Sequence, residues 1–169
     1  MWILSLPRVN SLLTLTCLVG LGLSLYAYII EIQVEQDDTY APMCDINAHV
    51  SCSKAFKSEY GKGFGVFGKD SPLYKPNSLF GIMFYSMNAI LALSNSRFIT
   101  MVTLVGVALS NVLSLYFAYI LYFILYDLCV VCVSIYVINV INLILIRLKL
   151  KSINAIEEKY STVTQKKRN

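Results

Sequence analysis

The sequence predicts an all-α membrane protein: a four-transmembrane-helix bundle with a loop or cap between its first two helices. Three observations carry that prediction. Of 169 residues, 57% are hydrophobic and only 14% are charged, where a soluble domain has about 45–50% and about 25%. Mean hydropathy is +0.63. The apolar residues gather into four stretches near the length of roughly 20 that a spanning helix needs. A disordered chain, a nucleic-acid-binding domain and a water-soluble enzyme are excluded, so no nucleic acid is expected as a partner. Membrane lipid is. Residues 1–169 read as a single integral membrane domain.

The first span, 11–30, has no charge. It is too long for the apolar core of a removed signal peptide, and no small-x-small site follows it, so it reads as a retained anchor. The polar loop 31–77 holds five Lys/Arg and seven Asp/Glu. Span two, 78–94, is short and uncharged, and the link after it carries Arg97. Span three, 99–126, ends at Asp127, and span four follows over 128–146. The tail 147–169 carries seven Lys/Arg against two Asp/Glu, which places it in the cytosol. Four spans return the N-terminus to the same side, with Arg8 just before the first helix. The long loop and the Asp127 turn then face the exoplasmic side. The terminal Lys166-Lys167-Arg168-Asn169 resembles a dilysine signal for return to the endoplasmic reticulum.

Four of the five cysteines fall on that exoplasmic side: Cys44 and Cys52 in the loop, Cys129 and Cys132 at the head of span four. Cys17 lies inside span one and reads as a small apolar residue. Residues i and i+3 share a helix face, so Cys129 and Cys132 are placed to form a reducible disulfide. A helix N-terminus favours a thiolate. Two loop cysteines would pass electrons to it by thiol–disulfide exchange. A structural zinc site of four thiolates and a pair of static disulfides are the competing readings. The redox relay is favoured, because a static bridge has little reason to sit at the lip of a membrane helix among polar groups. No metal is expected.

Cys129, Cys132, Tyr136 and Asn139 share one face of span four, and Asn77, Phe80, Phe84 and Asn88 share one of span two. Asn88 and Asn139, deeper in the membrane, read as interhelical hydrogen-bonding groups. Asn77, near the depth of the cysteines, reads as a ligand contact. Gly106, Ser110, Ser114 and Ala118 read as a packing stripe in span three. Phe56, Tyr60, Phe64 and Phe67 would cover a pocket or lie on the membrane surface, in a segment whose glycines make a continuous helix poor. An apolar pocket with aromatic walls, a few amide or phenol donors and a dithiol at its mouth suits a lipid-soluble, carbonyl-bearing two-electron acceptor. That points to a thiol:quinone oxidoreductase.

The segments Cys44-Asp45, Ser51-Cys52-Ser53, Tyr60-Gly61-Lys62-Gly63-Phe64-Gly65, Asn77-Ser78-Leu79-Phe80-Gly81 and Leu128-Cys129-Val130-Val131-Cys132 resemble the vitamin K epoxide reductase family, animal type. That type comprises the reductase and a close paralogue. Tyr60 departs from the Trp common there. The resemblance implies reduction of vitamin K 2,3-epoxide to the quinone and of the quinone to the hydroquinone, in the endoplasmic reticulum membrane with both termini cytosolic. It makes Cys132 the attacking thiol and Cys129 its resolving partner. It makes Cys44 and Cys52 the relay from lumenal thioredoxin-like proteins of the protein disulfide isomerase type. Asn77 and Tyr136 match hydrogen-bond donors to the quinone, Phe56, Phe80, Phe84 and Tyr85 match pocket walls, and Ser58 matches a nearby loop serine. No permanently bound cofactor is implied; vitamin K is substrate, and coumarin-type inhibitors share its pocket. The alternatives are a quinone-dependent enzyme running the relay backward to make disulfides, and a non-enzymatic tetraspan scaffold.

Overall fold

A computed structural model of the chain describes residues 5–37, 39–47 and 49–168, without the side chains of 166 and 167. The proposed dilysine signal therefore lies largely outside the described residues. Five α-helices carry the architecture: α1 (Leu6–Gln36), α2 (Cys52–Lys57), α3 (Asn77–Leu91), α4 (Arg97–Tyr119) and α5 (Val130–Arg168). Among the described residues there is no strand, only isolated bridges.

Helix α1 starts with a proline in its first turn, where a missing N–H costs nothing. Its buried residues include Leu13, Cys17, Gly20, Ser24, Ala27, Glu31 and Val34. Their alternating spacing of four and three is a knobs-into-holes seam, and its middle is lined with small residues. Helices α3 and α5 both pack on α1, and α4 packs on α5. A side chain added at Gly20 would stand 2.5 Å from the Tyr85 ring, and one at Gly81 would stand 2.7 Å from Ser24 Oγ. The α1–α3 crossing is close because those positions have no Cβ.

Among the described residues three helices, α1, α4 with its continuation, and α5, are long and apolar enough to cross a membrane. The expected second span is the exception. Helix α3 has 15 residues, hence a length of roughly 22 Å, against about 30 Å of hydrocarbon. Its last carbonyls would be stranded short of the surface. Lys149, 1% exposed, reaches in from α5 to donate to the Ala92 carbonyl at 2.6 Å.

The helices run beyond the expected spans. Span three begins at Arg97, and beyond Tyr119 it widens into a π-helical turn, Ile120–Ile124. Leu125 N–H reaches back five residues to the Ile120 carbonyl, and Tyr126, at φ 51°, reverses the chain. The tail from 147 is helical and continues α5, which runs unbroken to Arg168. Nothing in 147–168 breaks a helix, since it has neither proline nor glycine.

The connection from α1 to α3 folds back on the bundle. As its glycines foretold, it has two 3₁₀ turns, Glu59–Gly61 and Gly63–Gly65, and no long helix. Gly63, Phe64 and Gly65 all have φ between 55° and 70°. Glycine takes that conformation freely, and Phe64 does so with its N–H fixed to Asn77 Oδ1 at 2.8 Å.

Candidate active site

Two backbone hydrogen bonds bring the loop cysteines to the C-terminal half. Ser51 N–H donates to the Leu128 carbonyl at 3.0 Å, and Leu128 N–H donates to the His49 carbonyl at 2.9 Å. This parallel bridge sets Cys52 beside Cys129. Asp45 fixes Cys52 further. Its Oδ1 accepts from Cys52 N–H at 2.6 Å and Ser53 N–H at 3.1 Å, and its Oδ2 accepts from the Ser53 hydroxyl. Burial pulls the Asp45 carboxyl up, but hydrogen bonds from Ser53, Ser51 and Cys52 outweigh it and hold it below the usual carboxylate range.

Cys44 and Cys52 form a disulfide, while Cys129 and Cys132 are free thiols. Cys52 and Cys129 are both 0% exposed, and their sulfurs lie 3.8 Å apart. Cys129 stands just outside α5 and caps it. Its carbonyl accepts the Val133 N–H at 3.0 Å, and its sulfur accepts the Cys132 N–H at 3.3 Å. A sulfur that accepts from a helix's first turn is placed where a thiolate is favoured. Cys44, Asp45 and Cys52 also offer ligand atoms within 4.8 Å of one another. The disulfide removes both sulfurs from that set, since only a thiolate is a good metal ligand.

Cys132 faces elsewhere. It lines a cavity of about 160 Å³ with Tyr136, Asn77, Phe56, Ser58 and Tyr60. Cys129 is absent from that wall. The two members of the Cys-x-x-Cys pair thus serve different neighbours: one meets the loop disulfide, the other the cavity. A second cavity, about 380 Å³, adjoins the first and shares Asn77, Gly81, Phe117, Ile135 and Tyr136 with it. It opens between α3 and α4, which touch little.

The expected site residues therefore divide. Phe56, Ser58, Asn77 and Tyr136 surround the thiol cavity, whereas Phe80, Phe84 and Tyr85 wall the second one. Asn77 was expected to be free for a ligand. Its Nδ2 instead donates to the Tyr60 carbonyl at 2.6 Å while Oδ1 holds Phe64, which leaves one N–H for the cavity. Among the described residues the Tyr136 hydroxyl has no hydrogen-bond partner and remains available. Asn139 joins three helices, accepting from the Tyr85 hydroxyl at 2.8 Å and donating to Ser114 Oγ at 2.9 Å. Asn88 makes no such link; it bonds the Phe84 carbonyl of its own helix at 2.7 Å. Gly106, Ser110 and Ser114 of the packing stripe border the second cavity, and Ser114 also meets Asn139 of α5.

Sequence reasoning missed Glu31, Phe117, Leu121 and Ile135 in the wall of the thiol cavity. Glu31 was assigned to the loop, although it continues the α1 seam at regular spacing, and that was the available signal.

A profile of the vitamin K epoxide reductase family matches residues 11–146. The chain belongs to that family. It is 40% identical over 106 residues to vitamin K epoxide reductase complex subunit 1 of Rattus norvegicus. It is 39% identical over 106 residues to the protein of that name from Mus musculus. Each match takes in 60% of this chain and 66% of the relative. The family match runs through all four cysteines of the site and both cavities, and stops within α5 before its basic extension.

Proposed function

We propose that this chain reduces vitamin K 2,3-epoxide to the quinone, and the quinone to the hydroquinone, with electrons from thiols. One observation carries the reading: Cys132 borders an apolar cavity while Cys129 stands 3.8 Å from Cys52. The Cys132 thiolate attacks the substrate, and Cys129 then attacks Cys132, so that the substrate leaves reduced and the pair becomes a disulfide. Cys52 reduces that disulfide by exchange, and Cys44 closes on Cys52. The loop pair is oxidised and the inner pair reduced, as a relay would be after passing two electrons inward. A thioredoxin-like dithiol protein recharges Cys44–Cys52.

The Tyr136 hydroxyl and the remaining Asn77 N–H donate to the substrate oxygens, Phe56 and Ser58 border the ring, and the second cavity lies beyond it. Coumarin-type inhibitors occupy the thiol cavity. No cofactor is held permanently. Helix α3 is the fourth, short crossing, the α1–α3 connection forms a lumenal cap, and both ends of the chain lie in the cytosol of an endoplasmic reticulum membrane protein. The basic residues of the α5 extension support that orientation.

The test is turnover of purified chain in lipid nanodiscs with a small dithiol, given each substrate in turn. Both conversions are expected, and Cys132→Ser should abolish both with its melting temperature unchanged. A folded wild-type chain that converts neither compound defeats the reading.

A further inference from the structure

Glu31 is a buried acid that the thiol chemistry above does not use. It is 1% exposed and lines the same cavity as Cys132 and Tyr136. Its Oε2 accepts from Ser78 Oγ at 2.7 Å. Its Oε1 is buried and has no partner among the described residues. The charged and titratable groups around it are Glu35 on its own helix, Lys62 from the α1–α3 connection, and Cys132 and Tyr136 on α5. Lys62 is paired with Glu35. A carboxylate at Glu31 would therefore bury a charge with a single hydrogen bond and an orphan oxygen, a costly arrangement in an apolar wall. A neutral carboxylic acid has the opposite virtue: it holds a proton to give.

We propose that Glu31 is the general acid of the epoxide reaction, delivering a proton to the oxygen released when the epoxide ring opens. This rests on the redox reading of Cys132. Cys132, its proton lost to solvent, attacks an epoxide carbon; a C–S bond forms, the C–O bond breaks, and the alkoxide takes the Glu31 proton to become a hydroxyl. Cys129, its thiol proton also lost to solvent, then attacks Cys132, while the Glu31 carboxylate takes a proton back from solvent. The S–S bond forms, the C–S bond breaks, and its electron pair forms the quinone C=C as the hydroxyl leaves. Glu31 protonates that hydroxide, so it departs as water, and Glu31 is reloaded from solvent. Two thiol hydrogens and two electrons are consumed for each water made. The quinone makes a smaller demand on the acid, because the charge that builds on its carbonyl oxygen is delocalised over the ring. An alkoxide has no such relief.

The discriminating variant is Glu31→Gln, which retains the size and the hydrogen bond to Ser78 but has no proton to donate. In full-length protein with a small dithiol, kcat for the epoxide should fall about 10²-fold, the lower end of what a general acid contributes. KM should change little, and the epoxide-to-quinone rate ratio should fall at least about tenfold. The wild-type epoxide profile should be bell-shaped, rising as Cys132 ionises and falling as Glu31 does; the Gln variant should lose the alkaline fall. Glu31→Asp should restore part of the rate and the alkaline limb. A Gln variant with the wild-type rate ratio and pH profile overturns the proposal. Infrared difference spectra of wild type against Glu31→Gln at neutral pH read the proton directly and do not depend on turnover. A protonated-carboxyl band lost in the variant supports the proposal, and its absence from wild type overturns it. A wild-type chain inactive on both compounds would defeat the redox reading, and the infrared band would still decide whether Glu31 holds a proton.

Discussion

Tyr136 and Asn77 both border the thiol cavity, yet they are bound into the protein differently. The Tyr136 hydroxyl has no partner among the described residues, so its loss should be felt by the substrate alone. Tyr136→Phe should lower kcat/KM by the worth of one neutral hydrogen bond, about 0.5–1.5 kcal/mol, and leave the melting temperature unchanged. Asn77→Ala should cost activity and stability together, because the carboxamide also holds Phe64 and Tyr60. Steady-state kinetics beside thermal melts of both variants check this. A Tyr136→Phe protein with wild-type kcat/KM would remove the hydroxyl from the site. At this scale the sequence was legible where neighbourhood is written in spacing, as in Cys129 and Cys132 at the head of α5. It was illegible where a side chain's partner lies far along the chain. Nothing in the sequence says that Asn77 would be spent on Tyr60, or that Ser78 would find Glu31.

At the scale of elements, apolar runs announced the helices and glycines announced the broken segment after α2. Their ends were less legible, because ends are decided by neighbours. Helix α3 ends at Leu91, where Lys149 of α5 meets the Ala92 carbonyl just past its last turn, and α5 runs on because nothing in it forbids helix. The α1–α3 crossing depends on a missing side chain. Gly20 and Gly22 sit on one helix, but a Cβ at Gly20 would meet the Tyr85 ring at 2.5 Å, while one at Gly22 meets nothing within 4 Å. Opposite signs follow. Gly22→Ala should gain stability, up to about 1 kcal/mol from helix propensity. Gly20→Ala should lose about 1–3 kcal/mol by overpacking, since Tyr85 is 1% exposed and tied to Asn139. Thermal melts in detergent decide it, and equal shifts for both variants would mean that α1 and α3 do not cross at Gly20.

For the whole molecule, the consequential contact joins residues remote in sequence: 77 positions separate Cys52 from Cys129, whose sulfurs lie 3.8 Å apart. Cysteine count and side of the membrane suggested a relay, but the sequence left zinc and static bridges open. The route by which the loop reaches α5, through His49, Ser51 and Leu128, is a matter of backbone pairing that no residue type advertises. A relay and a clamp make different demands on this contact. In a relay, a protein donor too bulky to reach Cys129, which is 0% exposed, enters through Cys44, the most exposed of Cys44, Cys52 and Cys129 at 8%. A small dithiol diffuses into the cavity beside Cys132 and needs no intermediary. Replacing Cys44 and Cys52 together with serine should therefore lower turnover with a thioredoxin-like protein far more than turnover with a small dithiol. Exchange requires a sulfur to attack and a competent leaving thiolate, and the variant has neither in its loop. The ratio of the two rates is the quantity to measure, because any general loosening of the loop lowers both and cancels. A ratio unchanged from wild type would make the Cys44–Cys52 bond a clamp that holds the loop on the bundle, and electrons would have to reach Cys129 and Cys132 by another path.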